Sequence, residues 1–171
     1  RKVLSHYDNA TLYNDSIVAQ IVKRFQKQDA IVIYVPDHGE ECYEENRGFI
    51  CRNHSAEIDW PLAHYEFEIP FWIYCSPKYI RNHRDIYRQI RKAKDKRFMT
   101  DALPHLLLYL AGIETPTYKE EYNILSPKYD EMRPRILKNS ADYDKLRDAH
   151  LEKIKKEESK KVKKKGETDY E

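Results

Sequence analysis

Ile31-Val32-Ile33-Tyr34-Val35 is the stretch that most restricts how this chain can fold. Four of its five residues are β-branched, which confines χ1 and favours extended backbone over helix. It does not alternate apolar with polar, as a strand with one wet face does. The run therefore predicts a strand buried on both faces, as in a parallel sheet covered by helices. Gln28-Asp29 bounds it before, and Pro36, which lacks an amide hydrogen, ends it. Upstream, residues 14–27 are predicted to form an amphipathic helix. Ile17, Val18, Ile21, Val22 and Phe25 fall at i, i+1, i+4, i+5 and i+8, one face at helical period. Asp15 is the expected acid of its first turn. A helix feeding such a strand is half of an α/β unit.

A second strand is predicted at Ile69-Pro70-Phe71-Trp72-Ile73-Tyr74-Cys75, closed by Ser76-Pro77. Pro70 stands at its start, where a missing N–H is tolerated. Residues 36–68, between the two strands, show no sustained period and are rich in Glu, Asn, Arg, Cys and His. A segment this long and irregular inside a domain points to function. Residues 79–95 read as helix with many bases on a solvated face. Thr100-Asp101 caps a further helix over 102–110, which Gly112 stops. Residues 113–144 have little regular pattern. From Asp144 onward the chain is Lys/Glu-rich and apolar-poor, which predicts an exposed helix or a disordered tail over 145–171.

The 171 residues make about one domain's worth of chain. Only four are Gly, which excludes collagen-like and glycine-linker classes. The longest apolar stretch, Leu103 to Ile113, is shorter than the ~20 residues of a spanning helix, and His105 interrupts it. The first residue is Arg, so the chain is expected to be part of a longer protein. The net charge of +2 divides unevenly. Residues 145–171 hold nine Lys and one Arg against seven acids, and the remainder holds 21 bases against 22 acids. A near-neutral body gives no reason to expect nucleic acid as a partner. Cys42, Cys51 and Cys75 do not describe a disulfide-stapled domain. A Cys42–Cys51 bridge in an oxidising compartment and three packed, reduced thiols both fit.

The chemistry concentrates in Asp37-His38-Gly39-Glu40, directly after the buried strand. In open α/β sheets, ligands bind outside the carboxyl ends of the strands. A carboxylate beside an imidazole offers donors suited to Zn²⁺ or Mn²⁺. Gly39 has no Cβ and lets the backbone turn sharply. From these residues alone, a metal pair and a solvent-facing turn both stand.

The ordered combination is more specific. Tyr7-Asp8-Asn9-Ala10-Thr11-Leu12-Tyr13-Asn14-Asp15, the helix, Ile33 to Glu40, His54, and Glu68 to Ser76 follow one another in a pattern that resembles the phosphoethanolamine transferases of the alkaline phosphatase and sulfatase superfamily. The resemblance runs over about residues 7–144 and includes Leu110-Ala111-Gly112-Ile113 and the stretch Arg133 to Tyr143. It implies an alkaline phosphatase-like α/β sandwich of helices around a mainly parallel sheet, with only the carboxyl-terminal half of the catalytic domain present, in residues 1–144. It implies that Asp37 and His38 ligate zinc, with Mn²⁺ as the alternative ion. His54 matches the imidazole near the phosphate, and Glu40 would orient a ligand. Tyr13 and Asp15 match a recurring element before the helix, with a structural role.

Three departures from the family pattern stand out. Pro36 replaces the usual Ser or Thr. His54 is followed by Ser55 instead of Gly. The nucleophilic Thr and its accompanying Glu belong to the first half of the family's domain and have no counterpart here; Thr11, Thr100, Thr115, Thr117 and Thr168 are all in other contexts. The implied function is therefore part of a metal-dependent transfer of phosphoethanolamine from a phospholipid to a glycolipid through a phospho-Thr. The implied place is the inner membrane, anchored by an upstream segment, with the domain facing the periplasm. A sulfatase or phosphodiesterase of the same superfamily, or a catalytically silent fragment, is the alternative. His64, His6, His83, His105 and His150 read as surface or packing residues.

Overall fold

A computed structural model of the chain describes the backbone of residues 2–51 and 57–168, and the side chains of 2–48 and 57–160. In chain order the elements are α1 (Lys2–Phe25), β1 (Ile31–Tyr34), β2 (Glu41–Cys42), β3 (Phe49–Cys51), α2 (Trp60–Phe67), β4 (Trp72–Cys75), α3 (Pro77–Asn82), α4 (Arg84–Ala93), α5 (Leu103–Leu110), β5 (Ile136–Leu137), β6 (Ala141–Asp142) and α6 (Tyr143–Thr168). They fall into two units: Arg1–Pro36 with Pro70–Arg133, and Asp37–Ile69 with Pro134–Glu171. No helix among the described residues is long and apolar enough to cross a membrane.

In the first unit, α1 begins twelve residues earlier than the apolar spacing around Ile17 predicts. No Gly or Pro interrupts residues 2–25, and Val3, Leu4 and Tyr7 continue the same stripe. Asp15 and Tyr13 consequently lie mid-helix and exposed, so Asp15 is not a first-turn acid. β1 and β4 form where expected, but they pair antiparallel, with Ile31 opposite Cys75 and Tyr34 opposite Trp72. The expectation of a mainly parallel sheet is corrected for these two strands, which have no parallel partner among the described residues. The register explains it: the chain leaves β1 and re-enters β4 at the same end, whereas a parallel partner requires a crossover to the other end. Both strands are half-buried along their length.

Ser76 locks the exit from β4. Its hydroxyl donates to the Gln28 carbonyl at 2.6 Å and accepts from the Tyr79 amide at 3.0 Å, capping α3, with Pro77 in the first turn. Beyond it, α4 and α5 pack around Ala93, Leu106, Ile124 and Leu125, all buried, with Phe71 and Ile73 against them. Gly112, at φ +66°, ends α5 in the left-handed region that the sequence assigns it. His105 packs as expected, its Nδ1 accepting from the Lys119 amide at 3.1 Å.

The second unit fills most of the segment predicted to be irregular. Glu41 pairs with Cys51 and Cys42 with Phe49 in the β2–β3 hairpin. Cys42 is buried, and the Cys51 side chain lies outside the described residues. Asp59 caps α2 by accepting from the Leu62 amide at 3.0 Å, with Pro61 in the first turn. Leu62 and Ala63 are sealed against Ile58, Leu137 and Tyr143. The Trp60 indole stacks between His64 and His150, with centroids at 5.4 and 5.2 Å. The Tyr143 hydroxyl donates to Glu68, which also pairs with His64 Nδ1 at 3.1 Å. Burial and that carboxylate push the Tyr143 hydroxyl far above its ordinary value. Past this contact, residues 151–160 of α6 are all exposed.

Candidate metal centre

The site sits on the sharp passage from Pro36 to β2. Two contacts with α2 hold it. The Gly39 amide donates to the Glu66 carbonyl at 2.8 Å. The Gly39 Cα faces the α2 backbone so closely that a Cβ there would lie 2.2 Å from the Tyr65 carbonyl oxygen. Glycine is thus required by close approach and not by a left-handed turn. Glu40 is half-buried and Glu41 fully buried, so the chain dives inward immediately after the glycine.

This anchoring leaves Asp37 and His38 at the surface end of the passage. The His38 Nδ1 lies 2.8 Å from the Gly39 carbonyl oxygen. A carbonyl can only accept, so Nδ1 carries the hydrogen and Nε2 is the ring nitrogen turned toward Asp37. That Nε2 lies 3.3 Å from Asp37 Oδ2, while Asp37 Oδ1 accepts from the His38 amide at 3.1 Å. Two acceptor atoms so close need a cation between them, either a second proton on the ring or a metal ion. Two ligands each ~2.0–2.1 Å from a tetrahedral zinc stand ~3.3 Å apart, so the observed span suits one edge of such a site. The His38 side chain is 21% exposed and that of Asp37 85%, so the pair opens to solvent.

No group of three or more His, Cys, Asp and Glu side chains is placed to hold a metal ion among the described residues. Asp37 and His38 are the two candidate donors whose side chains are brought together here. His54, the third residue expected from sequence, lies outside the described residues. His64 is engaged with Trp60 and Glu68, and His83 with Asp29 at 3.2 Å and the Tyr79 ring, as their packing readings expect.

Sequence reasoning missed what steadies the site from below. Buried Glu41 places Oε1 2.6 Å from Arg47 Nε, and Arg47 Nη1 reaches Asp59 Oδ2 at 2.6 Å. Burial pushes the Glu41 carboxyl above its ordinary value, and Arg47 partly offsets this. Arg47 thereby ties the β2–β3 hairpin to the cap of α2. The signal for α2 was present as Asp59-Trp60-Pro61, a cap residue followed by proline in the first turn.

The Sulfatase family model matches residues 1–113, which include Asp37 to Glu40. Phosphoethanolamine transferase EptC of Escherichia coli O18:K1:H7 (strain RS218 / NMEC) is 32% identical over 128 residues, 73% of this chain and 21% of the relative. Kdo(2)-lipid A phosphoethanolamine 7''-transferase of Escherichia coli (strain K12) is 28% identical over 99 residues, 56% of this chain and 16% of the relative. The chain thus spans about a fifth of the length of these curated relatives. The crystal structure of the C-terminal periplasmic domain of EptC from Escherichia coli superposes with a TM-score of 0.64 at 29% identity, covering 82% of this chain and 40% of that one. A second structure of that domain, in complex with Zn, matches with the same score. The fold class is accordingly that domain's alkaline phosphatase-like α/β fold, in part. The chain belongs to the sulfatase family, and what it represents is the carboxyl-terminal part of a domain of the phosphoethanolamine transferase kind.

Proposed function

We propose that this chain supplies two of the zinc ligands, Asp37 and His38, to a phosphoethanolamine transferase that works on the periplasmic face of the inner membrane. The observation that carries the reading is the convergence of Asp37 Oδ2 and His38 Nε2 at 3.3 Å, with the ring's other nitrogen committed to Gly39. The Gly39 carbonyl fixes the tautomer that presents Nε2 as a ligand, and Asp37 brings the negative charge that a divalent ion requires. Zinc suits this imidazole and carboxylate pair better than Mn²⁺ does. When bound, it would act as a Lewis acid toward a phosphoryl oxygen and lower the pKa of an attacking hydroxyl.

The remaining machinery follows from the resemblance. A Thr from the preceding half of the domain attacks phosphorus in the phospholipid, and the bond to the diacylglycerol oxygen breaks. His54 would protonate that leaving oxygen or hydrogen-bond the phosphoryl group. A hydroxyl of a glycolipid, lipid A or a core sugar, then attacks phosphorus, and the phospho-Thr bond breaks in turn.

The test uses the full-length protein, with Asp37→Ala and His38→Ala. Both should lose bound zinc and transfer activity; unchanged zinc stoichiometry in both would refute the assignment. His54→Ala should depress turnover more than zinc content. Release of phosphoethanolamine to water without any lipid acceptor would favour the hydrolase reading, which the Sulfatase match keeps open.

A further inference from the structure

The near-neutral body hides a strong local concentration of charge. Residues 78–97 hold nine Lys and Arg against two acids, net +7, in a chain whose total is +2; the rest of the chain is net −5. Within this segment α4 sorts its residues by face. Arg84, Arg88, Arg91 and Lys92 fall at i, i+4, i+7 and i+8, one stripe at helical period. Ile86, Ile90 and Ala93 lie opposite and pack into the core of their unit. The apolar face therefore fixes the helix's rotation and holds the basic face outward, where all four bases are exposed. Arg81, in the last turn of α3, is exposed too.

The charges on this face are poorly compensated. Arg88 pairs with Asp85 at 2.9 Å. Arg81, Arg84, Arg91 and Lys92 have no acidic partner among the described residues. Like charges four apart on a helix cost a few tenths of a kcal/mol per pair. A face that needed only to be wet would interleave signs, as α6 does with Lys156 near Glu152 and with Arg147 near Asp144 and Asp148.

We propose that the basic face of α4 is a docking surface for an anionic lipid bilayer. The inference rests on the reading above and deepens it, because an enzyme that takes donor and acceptor from a bilayer must hold its domain against that surface. Guanidinium groups suit lipid phosphates: they are planar, weakly hydrated and bidentate. Tyr87, half-buried, is the single aromatic that borders the stripe within α4, and one ring offers no run on which successive bases could stack, so a bilayer fits the face better than a single strand.

The experiment is co-sedimentation of the full chain with vesicles of phosphatidylethanolamine and phosphatidylglycerol, and with vesicles of phosphatidylcholine alone. Binding should require the anionic lipid and fall steeply from about 50 mM to about 500 mM NaCl. Each base near the surface contributes ~5-fold, so joint replacement Arg84→Gln, Arg88→Gln, Arg91→Gln and Lys92→Gln should weaken binding at least ~100-fold, with circular dichroism unchanged. Joint replacement of Lys153, Lys155, Lys156 and Lys160 by Gln should leave most binding in place. The proposal is overturned by equal binding of the α4 variant, by loss in the α6 variant alone, by no binding of the parent chain, or by tighter binding of a single-stranded RNA than of anionic vesicles at equal phosphate. Zinc stoichiometry of the full-length protein separates the two readings: zinc without vesicle binding sinks only this inference, and vesicle binding without zinc sinks only the transferase assignment.

Discussion

Replacing Gly39 by Ala puts a methyl group 2.2 Å from the Tyr65 carbonyl oxygen and 3.2 Å from its carbon, where real Cβ atoms stay beyond 3.0 Å. The opposing atom belongs to the backbone of α2 and cannot rotate away, so the two segments must part by about 0.8 Å. Overpacking of this kind costs ~1–3 kcal/mol. The Gly39–Glu66 hydrogen bond at the same contact adds ~0.5–1.5 kcal/mol when it breaks. Gly39→Ala should therefore lose ~2–4 kcal/mol of unfolding free energy. The chain has two tryptophans, Trp60 in the unit of Gly39 and Trp72 in the other. In a Trp72→Phe background, urea unfolding followed by Trp60 fluorescence reads the affected unit alone. Because His38 is held through the Gly39 carbonyl, zinc affinity should also fall, on the order of 10-fold. Stability within 0.5 kcal/mol of the parent, with unchanged zinc affinity, would refute the claim that close approach to α2 positions the donor pair.

Arg47→Met leaves the fully buried Glu41 carboxylate without its cation. The loss should be ~2–3 kcal/mol at neutral pH, less than the ~3–5 for a wholly buried pair because the Arg47 side chain is 31% exposed. Glu41's folded pKa is raised, so its contribution to stability falls as pH rises through that value, and the Met variant's deficit should shrink on acidification as the carboxyl gains a proton. A deficit independent of pH between neutrality and pH 4.5 would count against the pairing. Asp101 shows the opposite sign. Its two oxygens take both Nη atoms of Arg133, at 2.6 and 2.8 Å, and that pairing holds its carboxyl below 3.8. The contribution is fully present above that value and lost as pH falls through the lowered one. Asp101→Asn should thus destabilise at pH 7 and have no effect in strong acid, as thermal melts across pH will show.

Local chemistry made several features legible in the sequence. The β-branched run at Ile31 to Val35 dictates a strand whatever surrounds it. Ser76-Pro77 and Gly112 mark helix boundaries because a cap hydroxyl, a proline ring and a missing Cβ act over a few residues. The Asp37-His38 pair was visible for a related reason, since its two donors are neighbours in the chain. The segment 36–68 was misjudged because its elements are short. Two- and three-residue strands and an eight-residue helix give too few repeats for a period to emerge, and their stability comes from partners such as Leu137, Tyr143 and Arg47.

The sequence by itself determined where β1, β4, α4 and α5 lie, which residues could grip a cation, and that α4 carries its bases on a solvated face. Only the tertiary structure decided that β1 and β4 run antiparallel, that Gly39 is pressed against α2, and that Asp37 Oδ2 and His38 Nε2 converge. The physical reason is range. Propensity, capping and periodicity act within a turn or two of the chain, whereas strand direction and side-chain convergence depend on where the chain returns after an excursion. No local rule records that return; only packing against residues far along the sequence does.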